Sequence, residues 1–376
     1  MSQQFFGLYR QGMPARLGRF GKYIGAHDLL LAVTVTAAVI LAGITLGVSN
    51  NGVVLSYPIL HYHYTAEPNN PLSFLSNWDG PDYLQIVHYG YHNLFDANFF
   101  PFYPLLIYIV SFSVRSALVS ALLVAWACMV GALYFYIKII KHLFDSVDIG
   151  ESLKALSFFV LFPSGVFLIG TYTESLYALL ALGAIYYALQ RKYIWSALLL
   201  LPCTATHITG VFVVALIAMM MLEQKERWWK AVATAAVGSL GLLGYMFYVW
   251  RRFHDPIAFI TAQRQIHGWV QHSPMSILTR ADPLNVVFIV LLVMAAIYWW
   301  NRRKSFAVYS LLFLAIPLVG HQYGGFNRYV LMAFPLQFML YAYVRDKKQA
   351  YPYVLLLFGV VWTYFALQYF GGYIGN

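Results

Sequence analysis

The sequence predicts an all-α polytopic membrane protein, a single-domain bundle of about eleven transmembrane helices. Three observations carry this. Hydrophobic residues make up 61% of the 376 residues and charged residues only 10%, whereas a soluble domain carries about 25% charged residues. Mean hydropathy is +0.64. The apolar stretches run to roughly 18–25 residues without strand-like alternation, long enough to cross a hydrocarbon core as helices.

The predicted spans cover roughly residues 29–48, 116–137, 154–170, 174–190, 193–206, 208–222, 230–250, 283–300, 305–320, 329–344 and 351–370. The fifth and sixth are short and meet between Pro202 and Gly210, a pattern that also fits one broken helix. The polar, basic start (Arg10, Arg16, Arg19, Lys22) reads as the flank of an uncleaved first span. With that flank in the cytoplasm, the outer side keeps six cations: Arg115, Arg251, Arg252, Arg264, Arg280 and Arg328. The other 18 of the 24 lysines and arginines fall inside, and this positive-inside bias sets the orientation. The formal charge of +10 is thereby assigned to cytoplasmic loops, and nucleic acid is excluded as a partner. Cys128 and Cys203 lie in apolar runs and read as small core residues.

Two predicted outer loops are long, 49–115 with short interfacial helices and 251–282. Loops longer than about 12–15 residues are often functional, so the chemistry is expected on that face. The first holds Trp78-Asp79-Gly80-Pro81-Asp82-Tyr83. Asp before Gly-Pro signals a helix start, so Asp79 reads either as an N-cap or as a general base at the membrane surface. Asn98-Phe99-Phe100-Pro101-Phe102-Tyr103-Pro104 is an aromatic belt or a platform beside a lipid-facing opening.

Further on, Phe162-Pro163-Ser164-Gly165 breaks a helix before Tyr172-Thr173-Glu174-Ser175. Glu174 there is either a cap or a carboxylate at the mouth of a cavity. His207, at the 202–210 break, is either a hydrogen-bonded structural residue or a ligand-binding one. The second long loop carries Asp255-Pro256, Phe259, Gln263, Arg264, His267 and Trp269. Arg328 and Tyr329 precede the tenth span; an arginine at that end opposes the charge bias, which snorkelling or an anionic ligand explains. Metal-ligand, P-loop and dinucleotide motifs are absent, so neither metal nor cofactor is expected.

Trp78-Asp79 with Tyr83, Ile86, Gly90 and Tyr91, then Asn98-Phe99-Phe100-Pro101 and Tyr103-Pro104, resembles the first luminal loop of the PIG-V family, the GPI mannosyltransferase II enzymes and their bacterial homologues. Phe162-Pro163 with Tyr172-Thr173-Glu174-Ser175-Leu176, Asp255-Pro256 through Trp269, and Arg328-Tyr329 with Phe334-Pro335 are similar to later segments of that family. One position departs: the family usually has arginine where this chain has His207, which puts a phosphate-binding role there in doubt.

The resemblance implies a GT-C-type bundle and inverting transfer of a sugar, mannose above all. The donor would be polyprenyl-phosphate-linked, the acceptor hydroxyl would belong to a lipid-linked glycan, glycan or protein, and the reaction would take place on the non-cytoplasmic face. It also implies roles: Asp79 as base with Glu174 as the second candidate. Arg328 would bind the donor phosphate with Arg264 or His207, and Trp78, Asp82, Tyr83, Tyr172, Asp255, Gln263, His267 and Tyr329 would line the substrate site. The expected setting is a prokaryotic cell membrane. A lipid-linked sugar flippase and a non-catalytic subunit of a glycosylation complex are the competing readings.

Overall fold

The computed structural model describes residues 21–50, 67, 69–145, 148–266, 283–316, 325–345, 347 and 349–372. Among them there is no strand. Helices α1 (Gly21–Ser49), α4 (Ala117–Phe144), α9 (Trp228–Phe253), α11 (Pro283–Trp300) and α15 (Ala350–Phe370) are long and apolar enough to cross a membrane. Shorter apolar helices are α3 (Phe102–Val114), α6 (Glu174–Leu189), α7 (Tyr193–Thr206), α8 (Gly210–Glu223) and α14 (Phe334–Val344). The remaining helices are α2 (Asp79–Tyr89), α5 (Ile149–Val160), α10 (Ala258–Ile266), α12 (Lys304–Leu312) and α13 (Phe326–Val330).

Of the long helices, α1, α9, α11 and α15 are peripheral, whereas the window of α4 is 56% buried. Only 11% of the most apolar window of α15 and 28% of those of α1 and α9 is buried. Their exposed residues are large and apolar, such as Leu41, Phe247 and Leu356, which suits lipid. By contrast α6 buries nearly its whole circumference, from Glu174 through Leu189. A helix that is apolar all round belongs in an interior. On α3 the residues Leu105, Tyr108, Ile109 and Phe112 are exposed. Their i, i+3, i+4, i+7 spacing makes one apolar face, as an interfacial helix has.

Several predicted spans are not continuous helices. The stretch 154–170 is α5, a break at Leu161–Ser164, and a 3₁₀ turn at Gly165–Leu168. The tenth is divided between α13 and α14. The fifth and sixth spans are two helices, not one broken helix. Tyr193 at the start of α7 donates to Gln224 Oε1 beyond the end of α8 at 2.9 Å. Arg191 pairs with Glu226 at 3.5 Å. The pair is therefore an antiparallel hairpin whose tip is His207–Thr209.

The basic loops meet at one end of the bundle. Asp28 of α1 is buried between Lys138, at 2.9 Å, and Lys141, at 2.6 Å, of α4. Arg345 Nη1 donates to Phe144 O at the end of α4. Tyr341 donates to Glu151, which pairs with Lys154. Glu223 caps α12, accepting from Ser305 N at 2.6 Å and Ser305 Oγ at 2.7 Å. The acids Asp79, Asp96 and Glu174 lie away from this end, beyond helices α4 and α6. Single cysteines at Asn69 and at Lys304 are expected to react with an impermeant thiol reagent from opposite sides of sealed vesicles. Native Cys128 and Cys203 are buried, so the background is low, and same-side labelling of the two sites would overturn this arrangement.

Candidate active site

The site begins with a strap, residues 73–77, stitched to the turn that precedes α6. Leu75 O accepts from Thr171 N at 3.0 Å and from Tyr369 OH at 2.7 Å. Thr171 Oγ1 donates to Ser76 Oγ at 2.8 Å. Asn77 Nδ2 donates to Tyr369 O at 2.9 Å, and Tyr172 OH donates to Asn77 O at 3.1 Å. Gly80 is needed by this close approach. A Cβ there would lie 2.3 Å from Thr171 Oγ1 and 2.6 Å from Ser76 Oγ. Trp78, half-buried, carries φ +63° and ψ −115°, a conformation that bulky side chains rarely adopt and that clusters at functional sites.

This strap delivers Asp79 as the first residue of α2. The capping expectation fails here: α2 has no side-chain cap hydrogen bond. The carboxylate instead accepts from Arg328 Nη1 at 2.5 Å. The same guanidinium presents Nε to Glu174 Oε1 at 3.0 Å. Glu174 likewise opens α6 without capping it. Arg328 is carried by α13, whose turn is fixed by Ser164 Oγ donating to Asn327 O at 2.8 Å. Its guanidinium carbon lies 5.2 Å from the ring centre of Tyr172, 5.4 Å from Tyr329 and 5.9 Å from Phe167.

The three charges are layered. Side-chain exposure falls from 33% for Asp79 to 16% for Arg328 and 1% for Glu174. Neither Glu174 oxygen, nor Arg328 Nε, has a hydrogen-bond partner in good geometry, so this contact is an ion pair rather than an aligned hydrogen bond. Glu174 is thus shielded beneath Arg328, and Asp79 is the carboxylate that a substrate can reach. Arg328 has five N–H donors, and these two ion pairs engage only its Nη1 and Nε.

A cavity of about 440 Å³ adjoins this cluster at Tyr329. Asn98, His207, Thr209, Gln263 and Arg264 supply its polar lining; Phe100, Phe212, Phe259, Ile208, Ile260 and Ile316 supply the apolar lining. Residues 91–100 are held to α9 through Tyr245 OH donating to Ala97 O at 2.7 Å and Arg252 Nε donating to Tyr91 O at 3.0 Å. His207 sits at the hairpin tip, its Nδ1 accepting from Thr209 N at 3.2 Å and lying 2.8 Å from Thr209 Oγ1. Burial, with Arg328 as the lesser cause, brings its pKa down to about 3. His207 is therefore neutral at physiological pH, able to donate or accept a hydrogen bond but not to supply a cation for a phosphate.

The other predicted residues are distributed around this centre. Tyr172 lies under Arg328 and accepts from Asp79 N at 3.3 Å. Tyr83 is buried, edge-on to Phe99 and Tyr103. Asp82 is half-buried, and burial, then Asp79 and Asp96, raise its pKa well above the ordinary aspartate value. It therefore keeps its proton to higher pH than an ordinary aspartate. Asp255 accepts from Ile257 N at 2.9 Å and from Thr261 Oγ1, so it secures the start of α10 and does not line the cavity. His267 lies outside the described residues. Among these residues no group of His, Cys, Asp and Glu is arranged to hold a metal.

Sequence reasoning did not select Asn98, Phe100, Thr209 or Phe259 as site residues, although each lies in a segment it singled out. It gave no sign of Phe167, an ordinary apolar residue whose role comes only from lying beside Arg328.

A family model described as Mannosyltransferase (PIG-V) matches residues 29–240, more than half of the chain. The human GPI alpha-1,6-mannosyltransferase 2 is 27% identical over 213 residues, covering 49% of this chain and 42% of the human protein. The chain thus spans less than half of that relative's length. The matched range includes Asp79, Glu174 and His207; Arg328 and α10 lie beyond it.

The pairing of Arg328 with a buried carboxylate alters what its removal should do. A role in phosphate binding alone would let Arg328→Ala keep its fold. With Glu174 beneath it, the substitution strands a buried charge, and breaking such a pair costs about 3–5 kcal/mol. Arg328→Ala should therefore melt well below the parent protein, and Arg328→Ala with Glu174→Gln should recover much of the loss. Equal melting temperatures for the parent and Arg328→Ala would show that the pair carries no such weight.

Proposed function

The chain belongs to the mannosyltransferase (PIG-V) family, and on that premise we propose that it moves mannose, with inversion, from a polyprenyl-phosphate donor to an acceptor hydroxyl at the Asp79–Arg328–Glu174 cluster. The observation that carries this reading is the layering of the three charges. A reachable carboxylate is held by a guanidinium that is itself braced on a buried carboxylate, at the edge of a cavity with mixed polar and apolar lining.

In this scheme the acceptor hydroxyl loses its proton to Asp79 as its oxygen attacks C1 of the mannosyl group. The bond between C1 and the phosphate oxygen breaks, and its electron pair leaves on the polyprenyl phosphate. That leaving group gains negative charge as it departs. Arg328, with Arg264 at the cavity wall, stabilises it. Glu174 holds the guanidinium in place and is too deeply buried to act as the base. His207, being neutral, contributes a hydrogen bond and no charge. Ile208, Phe212, Ile260 and Ile316 suit the first isoprene units of the donor. In this reading the basic end of the bundle faces the cytoplasm, as the positive-inside rule favours, and the reaction takes place on the opposite face.

Asp79→Asn is the decisive variant. It keeps the size of the side chain and an oxygen for Arg328, and no helix cap is lost because Asp79 provides none. The expected outcome is a folded protein with near-parental donor binding and turnover reduced at least ~10²-fold. Purified protein supplied with polyprenyl-phosphate-mannose and candidate acceptors measures this directly. An Asp79→Asn protein with parental turnover would refute the assignment of the base.

A further inference from the structure

We infer that two adjoining turns at the basic end, residues 190–193 and 224–230, form a binding site for the headgroup of an anionic phospholipid. The first observation is conformational. Arg191 and Lys225 adopt φ +59° and φ +60°, left-handed backbone that favours glycine after a helix. Each follows a helix end of the same kind. Lys192 N bonds to Tyr187 O at 2.8 Å and Arg191 N to Ala188 O at 3.0 Å. Glu226 N bonds to Met221 O at 3.0 Å and Lys225 N to Leu222 O at 3.0 Å. Glycine would make either turn with less strain, yet both positions hold a cation. Charged residues occupy left-handed caps elsewhere too, at Arg115, Asp145 and His254. What distinguishes Arg191 and Lys225 is that their turns pack side by side. Gln224 joins them, accepting from Tyr193 OH at 2.9 Å and donating to Ala188 O at 3.1 Å.

The second observation is the charge balance. Arg191, Lys192, Lys225, Arg227 and Lys230 share these turns with one available acid, Glu226, which is already paired with Arg191 and Lys230. Glu223 is turned away, held by Ser305. Lys225 and Arg227 are exposed, and among the described residues neither has an ion-pair partner.

The third observation is depth. Trp228 and Trp229 start α9 directly after Arg227 and are 71% and 50% exposed. Exposed tryptophans at the end of a long apolar helix sit at headgroup level. Cations beside them meet lipid phosphates rather than bulk solution, so a lipid phosphodiester fits better than free phosphate.

The glycine preference supplies the test. In the full-length protein, Arg191→Gly with Lys225→Gly removes both charges and relieves both turns. In neutral phosphatidylcholine nanodiscs this double variant should melt at or above the parent temperature. Nanodiscs that include phosphatidylglycerol should raise the melting temperature of the parent protein by several degrees and that of the double variant by much less. The gain should shrink in high salt, and inorganic phosphate should not reproduce it. A second variant, Lys192→Gln with Arg227→Gln, should lose part of the gain even if the glycine variant folds poorly. A parent protein that melts equally in both lipids would overturn the proposal, as would variants that keep the full gain or a gain reproduced by inorganic phosphate.

Discussion

The carboxylate of Glu174 is buried in an apolar bundle, and everything at the site follows from the need to keep it compensated. An isolated charge in such surroundings is too costly to retain, and Arg328 is the cation that reaches it. That requirement joins the start of α6 to a short helix 154 residues further along the chain, since Arg328 minus Glu174 gives that separation. The same guanidinium then has an open side, and the strap at 73–77 brings Asp79 to it. Tyr172 serves both halves of the arrangement. Its ring lies beneath the guanidinium, while its hydroxyl accepts from Asp79 N and donates to Asn77 O.

That junction accounts for the irregular backbone around it. Helices α5, α6, α7, α8, α13 and α14 all begin, end or break near the charged cluster or the cavity, while α1, α9, α11 and α15 run long on the outside. Non-helical backbone at membrane depth is tolerated where protein covers its polar groups. Here Ser164 Oγ takes up Asn327 O, Tyr177 OH takes up Thr209 O, and Tyr309 OH takes up Met332 O. The last two also lie 3.4 Å apart, tying the hairpin tip at His207 to the turn that follows Arg328.

Much of the site was legible because its residues are out of character with their setting. Arg328 opposes the charge bias of the loops, Glu174 opens a strongly apolar helix, and Asp79 stands among aromatics before Gly-Pro. Those anomalies survive in a one-dimensional reading. Their pairing does not, because capping and ion pairing need the same residue types at the same helix position; only the direction of the side chain separates them. His207 shows the same limit. Its identity was visible, but its neutrality comes from burial and from Arg328, neither of which is local in sequence. The spans were legible in part. Pro163 and Gly165 mark the break that ends the helix within 154–170, whereas the Met332–Ala333 break inside the apolar run 329–344 carries no such mark, and hydropathy averages over it.

Arg328 is shared between the two carboxylates and is not committed to Asp79 alone. On the proposed reading a donor phosphate would draw on the same guanidinium, so the donor and the two acids converge on one cation. The two carboxylates lie within the family-matched range 29–240 and the cation that couples them lies outside it. On the proposed reading the matched half of the chain therefore does not contain a complete site on its own, and the later helices contribute to the site as well as to the bundle.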